Sequence, residues 1–248
     1  MASLNLHCGF GFYGQPFDVA AALGQLEADV ICLQESWLPA ESDDGGPATD
    51  AIAEAAAKLE AEVFRTVLAN PQGLNLAGVP PTSIGGELAI VVLTALPVVH
   101  YEIIELGRAP GDIVPRCGQV VILDLGDGIT VRVVNTHLTH RLTSPLQLRA
   151  LQRRLRDDAL LTGRIPTIVA GDLNMPRTLA AMSINYDVTV RGKTWPANRP
   201  FLQLDHILRD QRVKVIQSQV LPNVGSDHLP VRARLRVLPI ARGRASTP

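Results

Sequence analysis

Six short polar groups interrupt a chain that is otherwise 46% hydrophobic. Asn5 and His7 lie in the first apolar run, and Gln34-Glu35 closes the second. Asn135-Thr136-His137 follows the largely apolar Val131 to Val134, and Gly171-Asp172-Leu173-Asn174 follows Thr167–Ala170. Leu204-Asp205-His206 opens a further run, and Ser226-Asp227-His228 precedes the last. Taken singly, an Asp or Asn after a strand is an ordinary turn former. A lone His at a strand end is equally ordinary, and His100 and His140 read that way. Turn chemistry does not call for His beside Asp or Asn again and again. If one sheet edge gathers these groups, they form a floor of carboxylates, imidazoles and neutral amides.

Such a floor suits the cleavage of a phosphate ester. The ester is anionic and repels nucleophiles, so cleavage needs a cation, a polarised water and donors around the non-bridging oxygens. Glu35 and Asp227 supply hard oxygen ligands. Hard ligands with few thiols favour Mg²⁺ or Mn²⁺ over zinc. Asp172 can orient or deprotonate water. Asn174 and Asn5 can hold phosphate oxygens or the water without adding charge. His137 and His228 can donate to phosphate or exchange protons near neutral pH. His206 is expected to face away from Asp205, because strand neighbours point to opposite faces.

The elements that must position these groups are mostly short strands rich in Val and Ile. They are expected at Ser3–Cys8, Asp29–Gln34, Leu88–Leu93, Val98–Ile104, Gln119–Leu125 and Ile129–Thr136. Four more are expected at Thr167–Ala170, Leu204–Leu208, Val213–Val220 and Val231–Leu238. Gly126-Asp127-Gly128 reads as a hairpin turn, since both residue types tolerate positive φ. Helices are expected at Val19–Ala28 after an Asp18 cap, and at the Ala- and Glu-rich Thr49–Glu62. A third begins at Ser144, with Pro145 in the first helical position and Gln147 completing a capping box. Its Leu148, Leu151 and Leu155 follow helical spacing, while Arg149, Arg153, Arg154 and Arg156 fall on a solvated face. Glu41 to Pro47, Asn70 to Gly86 and Arg108 to Pro115 read as loops. Residues 1–240 read as one domain, with a frayed tail over 241–248.

The polar groups and their flanks also resemble a known family. The matching pieces are Leu4-Asn5-Leu6-His7, Ala28 to Glu35, Asn135-Thr136-His137-Leu138 and Gly171-Asp172-Leu173-Asn174. Leu204-Asp205-His206-Ile207 and Ser226-Asp227-His228-Leu229-Pro230 complete the set. In this order they resemble the endonuclease/exonuclease/phosphatase superfamily of deoxyribonuclease I-like, metal-dependent phosphoesterases. The resemblance spans nearly the whole chain. It implies an α/β fold, a four-layered α-β-β-α sandwich of two mostly antiparallel sheets, with the site at one edge. It implies that Asn5 and Glu35 belong to the metal site, with Asp227 as a further ligand or a metal-linked carboxylate. Asp172 and Asn174 would handle the nucleophile, and His137 and His228 would grip the scissile phosphate. Asp205 would fix the tautomer and charge of His228. The general base stays open between Asp172 and His228. Arg116 matches a phosphate-contacting arginine of some members, against the reading of an ordinary loop arginine. Glu87 stands where deoxyribonuclease-like members place the carboxylate partner of His137. Thr194-Trp195-Pro196 resembles bacterial members of unassigned substrate. Trp195 either stacks on a substrate group or packs beneath its loop.

Composition narrows the substrate. The net charge is −1 over 248 residues, without the basic excess that a nucleic-acid backbone calls for. A small phosphorylated metabolite or head group is therefore the first expectation, and a nuclease acting on DNA or RNA the second. An inactive binding module on the same fold is a third reading. It would have lost ligands, whereas every central position here is filled. Cys8, Cys32 and Cys117 form no close pair and read as buried free thiols, which suits a reducing compartment. No basic stretch followed by an apolar run opens the chain, and no apolar stretch approaches about 20 residues. A cytoplasmic protein without a membrane span is expected.

Overall fold

A computed structural model describes residues 1–39, 50–69, 86–140, 142–157 and 165–238. The Val- and Ile-rich runs become twelve strands in two sheets. The first sheet holds β1 (Ala2–Asn5), β2 (Val30–Pro39), β3 (Glu62–Ala69), β4 (Gly86–Thr94), β11 (Val213–Val220) and β12 (Val231–Val237), in the order β11-β12-β1-β2-β4-β3. The second holds β5 (Val98–Gly107), β6 (Arg116–Asp124), β7 (Thr130–Thr136), β8 (Thr167–Asp172), β9 (Asp187–Val188) and β10 (Asp205–Arg209), in the order β5-β6-β7-β8-β10-β9. Only β1–β2 and β7–β8 pair in parallel. Parallel neighbours need a crossover. The crossovers contain α1 (Val19–Gly24) and α3 (Ser144–Asp157), while α2 (Ala51–Lys58) and α4 (Arg177–Ser183) complete the α-helices among the described residues.

Strand alternation builds the layers. Ile31 and Leu33 pack with Leu23 of α1 and Ile52 of α2. Their neighbours Val30 and Cys32 turn the other way, against Val121, Val133 and Ile207 of the second sheet. On the far side Leu148, Leu151 and Leu155 of α3 meet Val120, Val134 and Val169. Each such buried side chain contributes roughly 1.5–3 kcal/mol. The result is the expected four-layered sandwich, with sheets that are mixed but mostly antiparallel. The expected hairpin joins β6 to β7, with Gly126, Asp127 and Gly128 all at positive φ.

Several boundaries differ from expectation. The first strand ends at Asn5, and His7–Gly9 form a short helical turn instead. The helix after Asp18 stops at Gly24, and Asp18 caps it by accepting from the Ala21 N–H at 2.9 Å. The helix expected over Thr49–Glu62 spans Ala51–Lys58, capped by Asp50, and Glu62 already begins β3. Neither β3 nor α4 was expected. At the start of α3, Gln147 does not close a capping box; its Oε1 accepts the Thr139 N–H at 2.9 Å. The loop over 41–47, residues 70–85 of the next loop, and the tail over 241–248 lie outside the described residues.

A buried polar staple joins the sheets near one end. Asn135 Nδ2 donates to the carbonyls of Leu33 and Val91 and to Gln119 Oε1, and Asn135 Oδ1 accepts from Gln34 Nε2 at 2.7 Å. Such a network is stabilising only when every member is satisfied. It fixes the relative height of the sheets where β1, β7 and β8 end and β6 and β10 begin.

Candidate active site

At that end the strands open into a cavity of about 440 Å³. Eight predicted residues line it: Glu35, Arg116, His137, Asp172, Asn174, Trp195, Asp227 and His228. Asn5 and Asp205 lie beneath, bonded to members of the lining. Glu87 is outside it. Glu87 pairs with Leu38, one residue out of phase with the cavity-lining Leu88, and the contacts of His137 run to Asn174, Glu35 and Asp172.

Asp172 is central. It ends β8 and pairs in register with Asp205, the first residue of β10. The preceding Gly171 has φ +144°, and a Cβ there would stand 1.9 Å from the Thr136 carbonyl oxygen. Glycine thus lets β8 approach the end of β7. Asp172 Oδ2 accepts from Asn5 Nδ2 at 3.1 Å, and Oδ1 accepts from the Asn174 N–H at 2.9 Å. His137 Nε2 and His228 Nε2 lie 3.6 and 3.8 Å from Oδ2. Burial raises the Asp172 carboxyl above the ordinary range, Asp205 adds to this, and His228 with the two hydrogen bonds opposes it.

The two histidines differ in charge. Burial alone would depress His228, but the carboxylates of Asp205 and Asp172 outweigh it and hold the imidazole above its usual range. His228 Nδ1 donates to Asp205 Oδ2 at 2.8 Å. His137 is held well below its usual range by burial, then by the positive charges of Arg116 and His228. Neutral His137 then accepts at Nε2 from Asn174 Nδ2, 3.1 Å away. His206 turns away from Asp205 as expected, and its Nε2 donates to the Met175 carbonyl at 2.9 Å.

Two further carboxylates enter from the first sheet's side. Glu35 sits where the β2–β4 register shifts, with φ +46°. A bulge of this kind re-aims a side chain at a cost of order 1–3 kcal/mol. His7 and Asn174, also in the lining, share the positive φ. Asp227 Oδ2 accepts from Trp195 Nε1 at 3.2 Å, and Oδ1 lies 3.6 Å from His7 Nδ1 without a hydrogen bond. Trp195 therefore does something neither reading foresaw: it orients a carboxylate, while its ring sits edge-on to Phe201.

Sequence reasoning also missed other parts. Thr194 Oγ1 accepts the N–H groups of Leu204 and Asp205, setting the start of β10. His140, expected to be an ordinary surface or core histidine, lines the cavity. Cys8 lies close enough to Glu35 and Asp227 that burial, then their charges, raise its thiol. The ligand atoms of Asp172, Asp205 and His228 lie within 4.8 Å of one another, a spacing that can hold a metal ion. All three cysteines are buried and free. Among the described residues no helix is long and apolar enough to cross a membrane.

The sequence profile of the "Endonuclease/Exonuclease/phosphatase family" matches residues 2–228, so the chain belongs to that family. Its members are typically metal-dependent phosphoesterases. No sequence among the curated proteins is significantly similar to this one. A family structure from Leptotrichia buccalis superposes with a TM-score of 0.70 at 15% identity, over 95% of this chain and 98% of that one. One from Beutenbergia cavernae gives 0.69 at 20% identity, over 96% and 71%. A mannosyl-6-phosphatase from Bacteroides thetaiotaomicron gives 0.62 at 14% identity, over 95% and 99%. At such identities the likeness establishes the shared fold.

Proposed function

We propose that this chain hydrolyses a phosphate ester by in-line water attack, with a divalent metal ion, and that its substrate is a small phosphorylated metabolite or head group. One observation carries the reading. Buried Asp172, braced by Asn5 and Asn174, stands within 3.8 Å of two histidines in the cavity that Glu35 and Asp227 enter.

Glu35 and Asp227 are the residues that would hold Mg²⁺ or Mn²⁺. The fit rests on Asp227 Oδ1, a buried acceptor without a hydrogen bond. Leaving such a group unmatched costs about 1–3 kcal/mol, which a cation would offset. Asn5 is engaged on both sides, by the His7 N–H and by Asp172, and supports the site as a brace. The cluster of Asp172, Asp205 and His228 also has an orphaned acceptor, Asp205 Oδ1, but suits a metal less well. Its imidazole is bonded to Asp205 and held charged, and a ligating imidazole must be neutral. When bound, the ion supplies charge neutralisation for the phosphoryl oxygens and the leaving oxygen.

The protein's own groups divide the remaining work. His228, kept protonated by Asp205, cannot accept a proton, so Asp172 is the base that orients and deprotonates water. Its raised pKa brings its proton affinity toward neutrality, where general bases are most effective. His228 donates to a non-bridging oxygen, and Asn174 offers its amide. His137 enters neutral; the negative charge of a bound phosphoryl group favours its protonation and makes it a donor. Arg116, 7% exposed and in the lining, adds a cation on the same wall.

A cavity of this size fits a small molecule. A net charge of −1 gives a polynucleotide no overall electrostatic attraction. The Bacteroides neighbour's name, a mannosyl-6-phosphatase, belongs to the same substrate class. The test is hydrolysis of p-nitrophenyl phosphate and bis-p-nitrophenyl phosphate, with Mg²⁺ and with EDTA, alongside plasmid nicking on the same preparation. Mg²⁺-dependent release with intact plasmid is expected. Faster nicking than ester release would make it a nuclease, and no turnover of any substrate would make it a binding module.

A further inference from the structure

We propose that Asp112 is a positioning residue for Arg116, holding its guanidinium in the cavity wall so that it can meet a phosphoryl group. The proposal rests on the reading of Arg116 as a phosphate contact. Asp112 belongs to the loop between β5 and β6, and its side chain is fully buried. A buried carboxylate is unfavourable unless paired. Its Oδ1 accepts from Thr139 Oγ1 at 2.6 Å, two residues beyond His137. Its Oδ2 accepts no hydrogen bond and lies 3.6 Å from Arg116 Nε, which is itself buried and makes no hydrogen bond.

The two orphaned atoms thus face each other. At 3.6 Å the contact is electrostatic, beyond hydrogen-bond range. It retains the guanidinium without committing Nε to a bond. The loop is built to hold Asp112 in place. The Asp112 N–H donates to the Ala109 carbonyl at 3.0 Å, and Arg108 Nε donates to the Asp112 carbonyl at 2.7 Å. The next residues, Ile113 and Val114, line the cavity. Thr139 ties the arrangement to the chain segment that carries His137. His140 Nδ1 lies 3.9 Å from Asp112 Oδ1 and is half exposed. Arg116 is the buried cation beside it.

A purely structural Asp112, pinning its loop through Thr139, would not act through Arg116. Calorimetric titration of inorganic phosphate into the Mg²⁺-loaded full chain separates the two. Arg116→Ala is expected to weaken phosphate binding at least about tenfold, and Asp112→Asn, which keeps the acceptor for Thr139, about fivefold or more. The double variant should bind no more weakly than Arg116→Ala alone. Wild-type binding by Asp112→Asn beside a weakened Arg116→Ala would overturn the positioning role. So would an equal loss when Asp112→Asn is added to Arg116→Ala. Wild-type binding by Arg116→Ala would instead remove Arg116 from the phosphate site, and the proposal with it. If Asp112→Asn melts early, Thr139→Val keeps the charge while loosening its anchor; it should weaken phosphate binding only when Arg116 is present, and a loss independent of Arg116 would refute the coupling.

Discussion

Each end of the two sheets opens into a cavity, about 440 Å³ where β1, β7 and β8 finish and about 500 Å³ where they begin. The larger has an apolar floor that includes Leu123, Val131, Val133 and Ile168. Part of its charge is paired at the rim. Arg232 pairs with the exposed Glu27 at 2.8 Å and donates to the Leu26 carbonyl, and the Met1 amine donates to the Ala233 carbonyl. Glu27 there has φ +46°, and burial lowers the Met1 amine, but the smaller cavity gathers more such features. Its carboxylates and imidazoles are buried beside one another, with shifted pKa values, an orphaned Asp227 oxygen and left-handed backbone at His7, Glu35 and Asn174. The difference teaches that volume does not mark the site. Unfavourable local features concentrated at one end do, because they persist only where something else uses them.

That contrast is open to attack by substitution. The largest effect is expected at Asp172. Asp172→Asn keeps the shape but removes the base, and kcat should fall by about 10²–10⁴-fold. A steady-state assay on p-nitrophenyl phosphate reads this directly; near-normal turnover would leave the smaller cavity without its central group. Asp205→Asn should cost about 10–100-fold, as loss of a carboxylate behind a working histidine typically does. It should also move the pH profile. The His228 pKa is raised, so its donor proton is present below that pKa and lost above it. Removing the Asp205 charge lowers the pKa, and the alkaline limb should shift to lower pH. An unmoved limb would reduce Asp205 to a structural role.

Two smaller effects sharpen the comparison. Gly171→Ala forces a Cβ against the Thr136 carbonyl and should destabilise the fold by about 3 kcal/mol or more. Thermal unfolding checks it, and an unchanged melting point would show that β7 and β8 can separate there. Arg232→Ala, at the other end, removes an ion pair whose Glu27 is well exposed. Turnover should stay within about twofold, with stability changing by less than about 1 kcal/mol. A large loss of activity would mean that the larger cavity takes part in the chemistry.

Much of this was legible in the residues. Periodicity located the strands that form the two sheet centres, and the recurrence of His beside Asp or Asn marked the end where they converge. What escaped depends on partners far apart in sequence. Nothing local pairs Asp205 with Asp172, or aims the Trp195 indole at Asp227. Asn135 reads in the sequence as a neighbour of His137, but in the fold it staples two sheets. The end of α2 was hidden because Glu60, not glycine, takes the left-handed conformation there at φ +52°, so no stop signal preceded β3. Asp112 looked like any loop aspartate, since only the fold buries it against Arg116.

The central claim is that one end of the sandwich is a single metal-assisted phosphate site. Anomalous diffraction from crystals soaked in Mn²⁺ with inorganic phosphate tests it most directly. A Mn²⁺ peak is expected against Glu35 and Asp227, with phosphate oxygens reached by His137, Asn174, Arg116 and His228. A peak held instead by Asp172, Asp205 and His228, or one in the larger cavity beside Arg232, would contradict it.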